Sequence, residues 1–545
     1  MPVIPVREIA KYGIITDPDP YDLPAQAWSA GVNARFRNGK ITRAPVFRNL
    51  GNLSTADPRF IVGVNPTSGG DNLYVSYLTG TVKLFSNGVE TDKTKIGWVA
   101  SAAELPYTSC RLADVLYINR GDRPPWYLRS IDATFQDLSA AGGTSPWPAT
   151  SFAQILRASN GALCAYNVTK AGVNSPTMVK TSGFPLAGNV PDSWDITVPA
   201  SNATENILAE MEGGIVDALG LGNLMFIYGQ NETWLQQFVG GTFIWQYSKA
   251  FSNRGVINAN CVIEIEKKHI VFGYDDIWVH DGTSTKSICD QRTREFIFSG
   301  LNVTRRNRCF VAHNPDLKEL LFCYCSTDRL SQFGQGSVDS ANRAAVWNYE
   351  DDTWTFDDLP LVFGGTRSNI DTSTTWASAA GTWDAFGGSW ADLEGSGKRS
   401  TVFVGDTNST YGITKSVYAF DPTGPLSKVA AAIDIPATGN FYLERDGIDL
   451  DELGANLKGY KLLRSIFPEG RFEDGAQPLQ FNAGSSDNFD ITPTFKGNQS
   501  WDANVNYRLD YNTAGRYLSL IISVTDTHFF TLSGLDMDII VTGHR

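Results

Sequence analysis

Long apolar runs are missing from this chain. No segment reaches the roughly 18 consecutive apolar residues of a membrane-spanning helix, so a helical span is not expected. The opening MPVIPVREIAKYG also lacks the apolar core of a secretory signal, which points to a soluble protein made in a cytosol. Cysteine is sparse. The seven (Cys110, Cys164, Cys261, Cys289, Cys309, Cys323, Cys325) are an odd number without a CxxC pair, a usage that suits a reducing compartment better than a disulfide framework. Cys323 and Cys325 alternate with Phe322 and Tyr324, so both are expected on one side of a strand as small hydrophobes. Histidine is scarcer still. His269, His280, His313, His528 and His544 stand in no HxxxH or HxH spacing, which argues against zinc. There is no GxSxG elbow, P-loop or dinucleotide fingerprint.

Positive charge is short as well. Lys and Arg number 45 against 58 Asp and Glu, a net charge of −13. A surface evolved to grip phosphates needs clustered Lys and Arg. This one reads as acidic and solvated, a surface that DNA can pass without sticking. The densest carboxylate cluster, Asp446, Asp449, Asp451 and Glu452, misses the EF-hand spacing and reads as a solvated turn. Paired carboxylates of a glycosidase could come from distant strands. However, residues 366–400, rich in Ser, Thr and Gly with Trp376, Trp383 and Trp390, do not spell the SxDxGxxW box of sialidase propellers. No catalytic, cofactor-binding or metal-binding residue is assigned, and the chain is not read as an enzyme.

What the chain has is many short strand-like runs, 51 glycines and 12% aromatic residues, hence an all-β expectation. One pattern recurs: an apolar run, a glycine, a polar loop, and a tryptophan five positions after the glycine. It occurs as Gly121 and Trp126, Gly229 and Trp234, and Gly273 and Trp278, each tryptophan read as core before sugar platform. The last two glycines lie 44 positions apart, with room for four strands per period, the spacing of β-propeller blades. Residues 55–425 are therefore expected to form a propeller of about six blades, with an insertion loop near 366–400. Glu205 to Leu219 is the best short helix candidate, although Gly213-Gly214 interrupts it. Pro422-Thr423-Gly424-Pro425 reads as a linker, and 426–545 as a small β-sandwich-like domain with strands at 461–466, 477–481, 505–509, 517–524 and 537–541.

Residues 1–54 are expected to be an extended arm with one hairpin. Ala34 to Arg43 has Asn38-Gly39 at its turn and carries Arg35, Arg37, Lys40 and Arg43. It is either a solvated edge or a docking surface, and the acidity of the rest of the chain favours docking.

Asn33 to Pro45 resembles the opening of tail tube nozzle proteins of short-tailed bacteriophages. The ending, Gly515-Arg516-Tyr517-Leu518-Ser519-Leu520 and Leu532-Ser533-Gly534-Leu535-Asp536, resembles their closing domain. The resemblance implies a structural virion protein at the tail tip, assembled in the bacterial host cytoplasm. It would form a hexameric ring that extends and closes the DNA ejection channel. Its implied partners are a head-to-tail adaptor ring, tail fibres or spikes, and genomic double-stranded DNA passing without sequence recognition, with no cofactor. The alternative is a carbohydrate-binding or carbohydrate-cleaving propeller.

Overall fold

A computed structural model describes residues 3–54, 56–64, 72–86, 88–101, 103–241, 244–327, 339–369, 399–407, 414–421, 440–449, 459–473, 475–488, 491–526 and 528–543. The expected linker at 422–425, Trp376, Trp383, Trp390, Asp451, Glu452 and His544 lie outside them.

The fold is all-β, and its antiparallel sheets follow the chain. Sheet one is Pro58–Val64, Asn72–Tyr77, Val82–Ser86 and Val89–Asp92. Sheet two is Tyr107–Leu112, Val115–Arg120, Trp126–Leu128 and Gln136–Asp137. Sheet three is Ser151–Ser159, Ala162–Lys170, Val173–Thr181 and Thr204–Ile207. Sheet four is Asp217–Leu221, Leu224–Tyr228, Glu232–Phe238 and Trp245–Ser252; sheet five is Val262–Ile265, Lys268–Phe272, Ile277–His280 and Thr285–Ser287. Each is a meander in which strands adjacent in sequence are adjacent in the sheet. Asn38-Gly39 and Asn160-Gly161 hold positive φ at both central positions, as two-residue hairpin turns require. Ala113-Asp114 and Glu266-Lys267 adopt the same conformation without glycine.

Sheet six is longer. It runs Phe310–Asn314, Glu319–Tyr324, Ala341–Asn348, Thr353–Asn369, Arg399–Gly405, Ser416–Asp421 and finally Val46–Asn52 from the other end of the chain. Its longest strand breaks register near Pro360, which has no N–H, and Leu361, whose φ is +55°. The half before the break pairs back to Ala341–Asn348, and the half after it pairs forward to Arg399–Gly405. Sheet six is thus two four-stranded sets sharing one broken strand. The first strands of sheets one to five pack each on the next, sheet five's on Phe310–Asn314, and the second half of the broken strand on both Phe310–Asn314 and Pro58–Val64.

The recurring tryptophans occupy the same strand, the third of sheets two, four and five. Trp126 sits opposite Ile118, Trp234 opposite Ile227 and Trp278 opposite Val271. All three are buried, with Trp126 one residue out of step relative to its glycine.

The structure departs from several sequence expectations. Glu205 to Leu219 is not a helix: Thr204–Ile207 adds to Val173–Thr181 as the outer strand of sheet three, and Asp217–Leu221 opens sheet four. Gly213 at φ +87° turns the chain between them. The helix that does form among the described residues is Arg294–Gly300. A second departure is the free basic hairpin. Ala34–Arg37 and Lys40–Arg43 form an integral edge of a sheet in which Lys40–Arg43 pairs with Phe530–Gly543, and Arg35 and Arg43 are buried.

The rest of that sheet is Tyr460–Phe472 and Leu509–Gly515, with Val3–Arg7 also laid along Phe530–Gly543. A second sheet contains Asn440–Ile448, Leu479–Ser486, Thr494–Phe495, Gln499–Trp501, Tyr517–Thr525 and, from the N-terminus, Ala30–Val32. The two share a core: Phe441 of the second meets Phe530 of the first with ring centroids 4.9 Å apart. Residues 3–54 are therefore distributed among three sheets instead of standing apart.

Candidate functional site

The first strands converge, and polar side chains cross the space between them. Arg157, on the first strand of sheet three, is the hub. Its guanidinium donates to Asp217 of sheet four at 2.7 Å, to Oδ1 of Asn260 just before sheet five at 3.1 Å, and to the Ser109 carbonyl of sheet two at 3.0 Å. Asn260 completes the cross-tie, donating from Nδ2 to the Tyr107 carbonyl at 2.9 Å and from its backbone N–H to Asp217 at 2.8 Å. Sheets two to five are thereby joined across their convergence. A largely buried Arg–Asp pair whose arginine also bonds carbonyl and amide oxygens is well held, and removing one partner leaves the other charge stranded.

Beside this tie lies a small cavity of about 70 Å³, walled by Arg59, Glu104, Tyr107, Asn258, Arg308 and Phe363 among others. It has room for a few waters. Its charges neutralise one another: Glu104 accepts from Arg59 at 3.0 Å and Arg308 at 2.7 Å, and Asp339 accepts from Arg308 at 3.0 Å and pairs with Arg305 at 2.6 Å. Arg59 also lies 4.2 Å above the Phe363 ring. Burial raises the Glu104 pKa, but the hydrogen bonds and charges of the two arginines outweigh it and leave Glu104 below its ordinary value. A carboxylate held this way is a poor general acid. The arrangement clamps four chain segments together and presents no nucleophile–base pair.

A second polar cluster joins sheets four and five. The Tyr228 hydroxyl lies 2.7 Å from Nδ1 of His269 and 2.6 Å from Nε2 of His280. Nε2 of His269 faces the Gly220 carbonyl at 2.9 Å, and the Gly282 N–H donates to Nδ1 of His280 at 3.2 Å. These partners fix both tautomers: His280 donates to Tyr228, Tyr228 donates to His269, and His269 donates to Gly220. Every ring nitrogen is used, and neither imidazole has a lone pair left for an extra proton. Burial lowers His269 to about 4, and burial together with His269 lowers His280 to about 3. No group of three or more possible metal ligands occurs among the described residues.

Arg35 forms a third cluster. Its guanidinium meets Asp357 with two nitrogens and Glu319 through Nε at 2.9 Å, with all three side chains buried. Burial pushes Glu319 up to about 6 despite Arg35. The residue read as a surface cation thus anchors the N-terminal hairpin into sheet six. Among the other sequence candidates, Cys323 and Cys325 are buried free thiols, and among the described residues Asp446 and Asp449 belong to no group of three or more possible metal ligands.

Sequence reasoning missed all three clusters. Only the His269–His280 contact left a trace, because a hairpin turning after Gly273 puts these two residues opposite each other. No protein-family model and no curated protein matches the chain.

Proposed function

We propose that this chain is a structural subunit of a short phage tail, the nozzle that extends and closes the DNA ejection channel, and that it is not an enzyme. The observation that supports this best is where the two nozzle-like ends lie. The hairpin within Asn33 to Pro45 and the strand containing Leu532 to Asp536 are adjacent in one sheet, with Ile41 opposite Leu532 and Thr42 opposite Thr531. Two stretches that resemble one family at opposite ends of a sequence form a single structural unit.

In this reading the sequential sheets are blades of a β-propeller, seven when the two halves of sheet six are counted separately. Val46–Asn52 closes the last blade from the N-terminal side, as suits a ring that must not spring open. The two terminal sheets are the β-sandwich-like domain. Arg157 and Asn260 tie sheets across their convergence, which supports a channel between copies over one through a single chain. A six-copy ring, docked on an adaptor ring and near fibres or spikes, gives that channel, with an excess of carboxylates that keeps phosphates from adhering. The basic hairpin is removed from the docking role, since Arg35 and Arg43 are interior. A carbohydrate-cleaving site finds no support at the blade convergence, where arginines neutralise Glu104 and Asp339.

The test is the mass of the purified chain by light scattering, alone and with its adaptor ring. A multi-copy assembly that forms at least with the adaptor is expected. Monomer under both conditions counts against the nozzle, as does tight, salt-sensitive retention of double-stranded DNA by the assembly.

A further inference from the structure

A wider cleft lies away from the convergence of the first strands. It opens on the terminal sheets between Phe467-Pro468-Glu469-Gly470, the loop after Trp501, and Asp536. Its volume is about 680 Å³, roughly ten times that of the cavity at the convergence. The floor is irregular by construction. Pro468 cannot donate to the ladder, and the register slips between Glu469 and Gly470, a bulge of the kind that re-aims side chains beside binding sites. A side chain at Gly470 would strike the Thr531 carbonyl at 2.3 Å, so this close approach requires glycine.

Two carboxylates of the cleft share one arginine at the protein surface. Arg7 donates to Glu469 at 2.6 Å and to Asp536 at 3.0 Å, so one guanidinium sets both carboxylates. The wall is ordered too: Trp501 Nε1 donates to the Asn506 carbonyl at 2.8 Å, Asn506 donates to Ser500, and the backbone N–H groups of Val505 and Asn506 bond the Asp502 carbonyl. On this braced loop Tyr507 lines the cleft while 76% exposed. This exposed aromatic ring shares the cleft with Asp536, whose Oδ1 is buried without a hydrogen-bond partner, so an apolar face and an unmet acceptor line one space.

We propose that this cleft binds a neutral saccharide, one pyranose stacking on Tyr507 and presenting hydroxyls to Glu469, Asp536 and Asn506. A pyranose has an apolar C–H face suited to an aromatic ring and an equatorial set of hydroxyl donors suited to carboxylate acceptors. Two carboxylates against one guanidinium leave the cleft negative, which favours neutral sugars over uronic acids, sialic acids and phosphorylated sugars. The site is independent of the nozzle reading and stands or falls on the single chain.

The test is titration calorimetry of the purified full-length chain with maltose, lactose, cellobiose and chitobiose, and with hyaluronan fragments as the anionic control. Saturable binding of at least one neutral sugar is expected, in the millimolar to micromolar range (about −4 to −8 kcal/mol). Tyr507→Ala should weaken it at least tenfold and Glu469→Gln severalfold, while Tyr507→Phe, which keeps the ring, stays near wild type. Melting curves check that each variant folds. No binding by any neutral sugar, wild-type binding by folded Tyr507→Ala, or preferential binding of the anionic fragments overturns the proposal.

Discussion

Lowering the pH from 7 to 5 should loosen the joint between sheets four and five, and the effect should vanish when its histidines are removed. His269 and His280 carry depressed pKa values of about 4 and about 3 in the folded chain, against 6.5 when unfolded. Depressed groups bind fewer protons folded than unfolded, so their contribution to stability is fully present above pH 6.5 and is lost as pH falls toward 4. At pH 5 the unfolded imidazoles lie about 1.5 pH units below their pKa while both folded ones remain neutral. At about 1.36 kcal/mol per unit, each costs about 2 kcal/mol, or about 4 together. Two carboxylates act on the pair, Asp217, already engaged by Arg157, and Asp281, held by Thr283 and Ser284, and both oppose the shift without cancelling it. The assay is guanidinium unfolding followed by tryptophan fluorescence, since Trp278 stacks on His280 at 5.3 Å. Wild type is compared with His269→Gln/His280→Gln at both pH values. The pH dependence, not the absolute stability, is the readout, because His313, lowered to about 4, and Glu319, raised to about 6, titrate equally in both proteins. The variant should lose about 4 kcal/mol of pH dependence. Identical pH dependence in the two proteins refutes the reasoning.

Tyr228→Phe removes the hydroxyl that serves both histidines and strands one buried donor and one buried acceptor, so it should cost about 2–5 kcal/mol in the same unfolding assay. Arg35→Met leaves Asp357 and Glu319 buried without their cation and should destabilise by about 3–5 kcal/mol, with the loss shrinking at pH 5 as Glu319 takes up its proton; a melting temperature unchanged by the substitution contradicts this. Six of the seven thiols are buried, and burial raises the pKa of all seven; the native protein should therefore react with a thiol reagent at pH 7 only after denaturant is added, and rapid labelling of several cysteines in the native chain refutes that packing.

The strand pattern was legible where the period-2 rule and turn chemistry agree. Gly229 and Trp234, and Gly273 and Trp278, mark hairpins whose tryptophans land on the third strand in the same register. Asn38-Gly39 turns as Asn-Gly must. Glu205 to Leu219 misled because Glu, Leu, Ala and Met favour helix locally, while an open edge at Val173–Thr181 claims Thr204–Ile207 as its fourth strand. Arg35 misled for a related reason. Alternating basic and apolar residues describe a solvated hairpin only if the polar face meets water, and here Asp357 lies 322 positions away in sequence. The pairing of Val3–Arg7 with Phe530–Gly543 is equally invisible locally, since no period within either strand encodes a partner half a thousand residues distant. The clusters around Arg157 and Tyr228 follow the same rule: each gathers residues from separate sheets, and only topology brings them together.

Averaged electron-microscope images of the purified assembly show whether copies of this chain enclose a channel. Six-fold rings are expected, with the opening on the symmetry axis between copies and a filled centre in each copy. Isolated single propellers, or a ring whose open passages run through the individual subunits, contradict that arrangement.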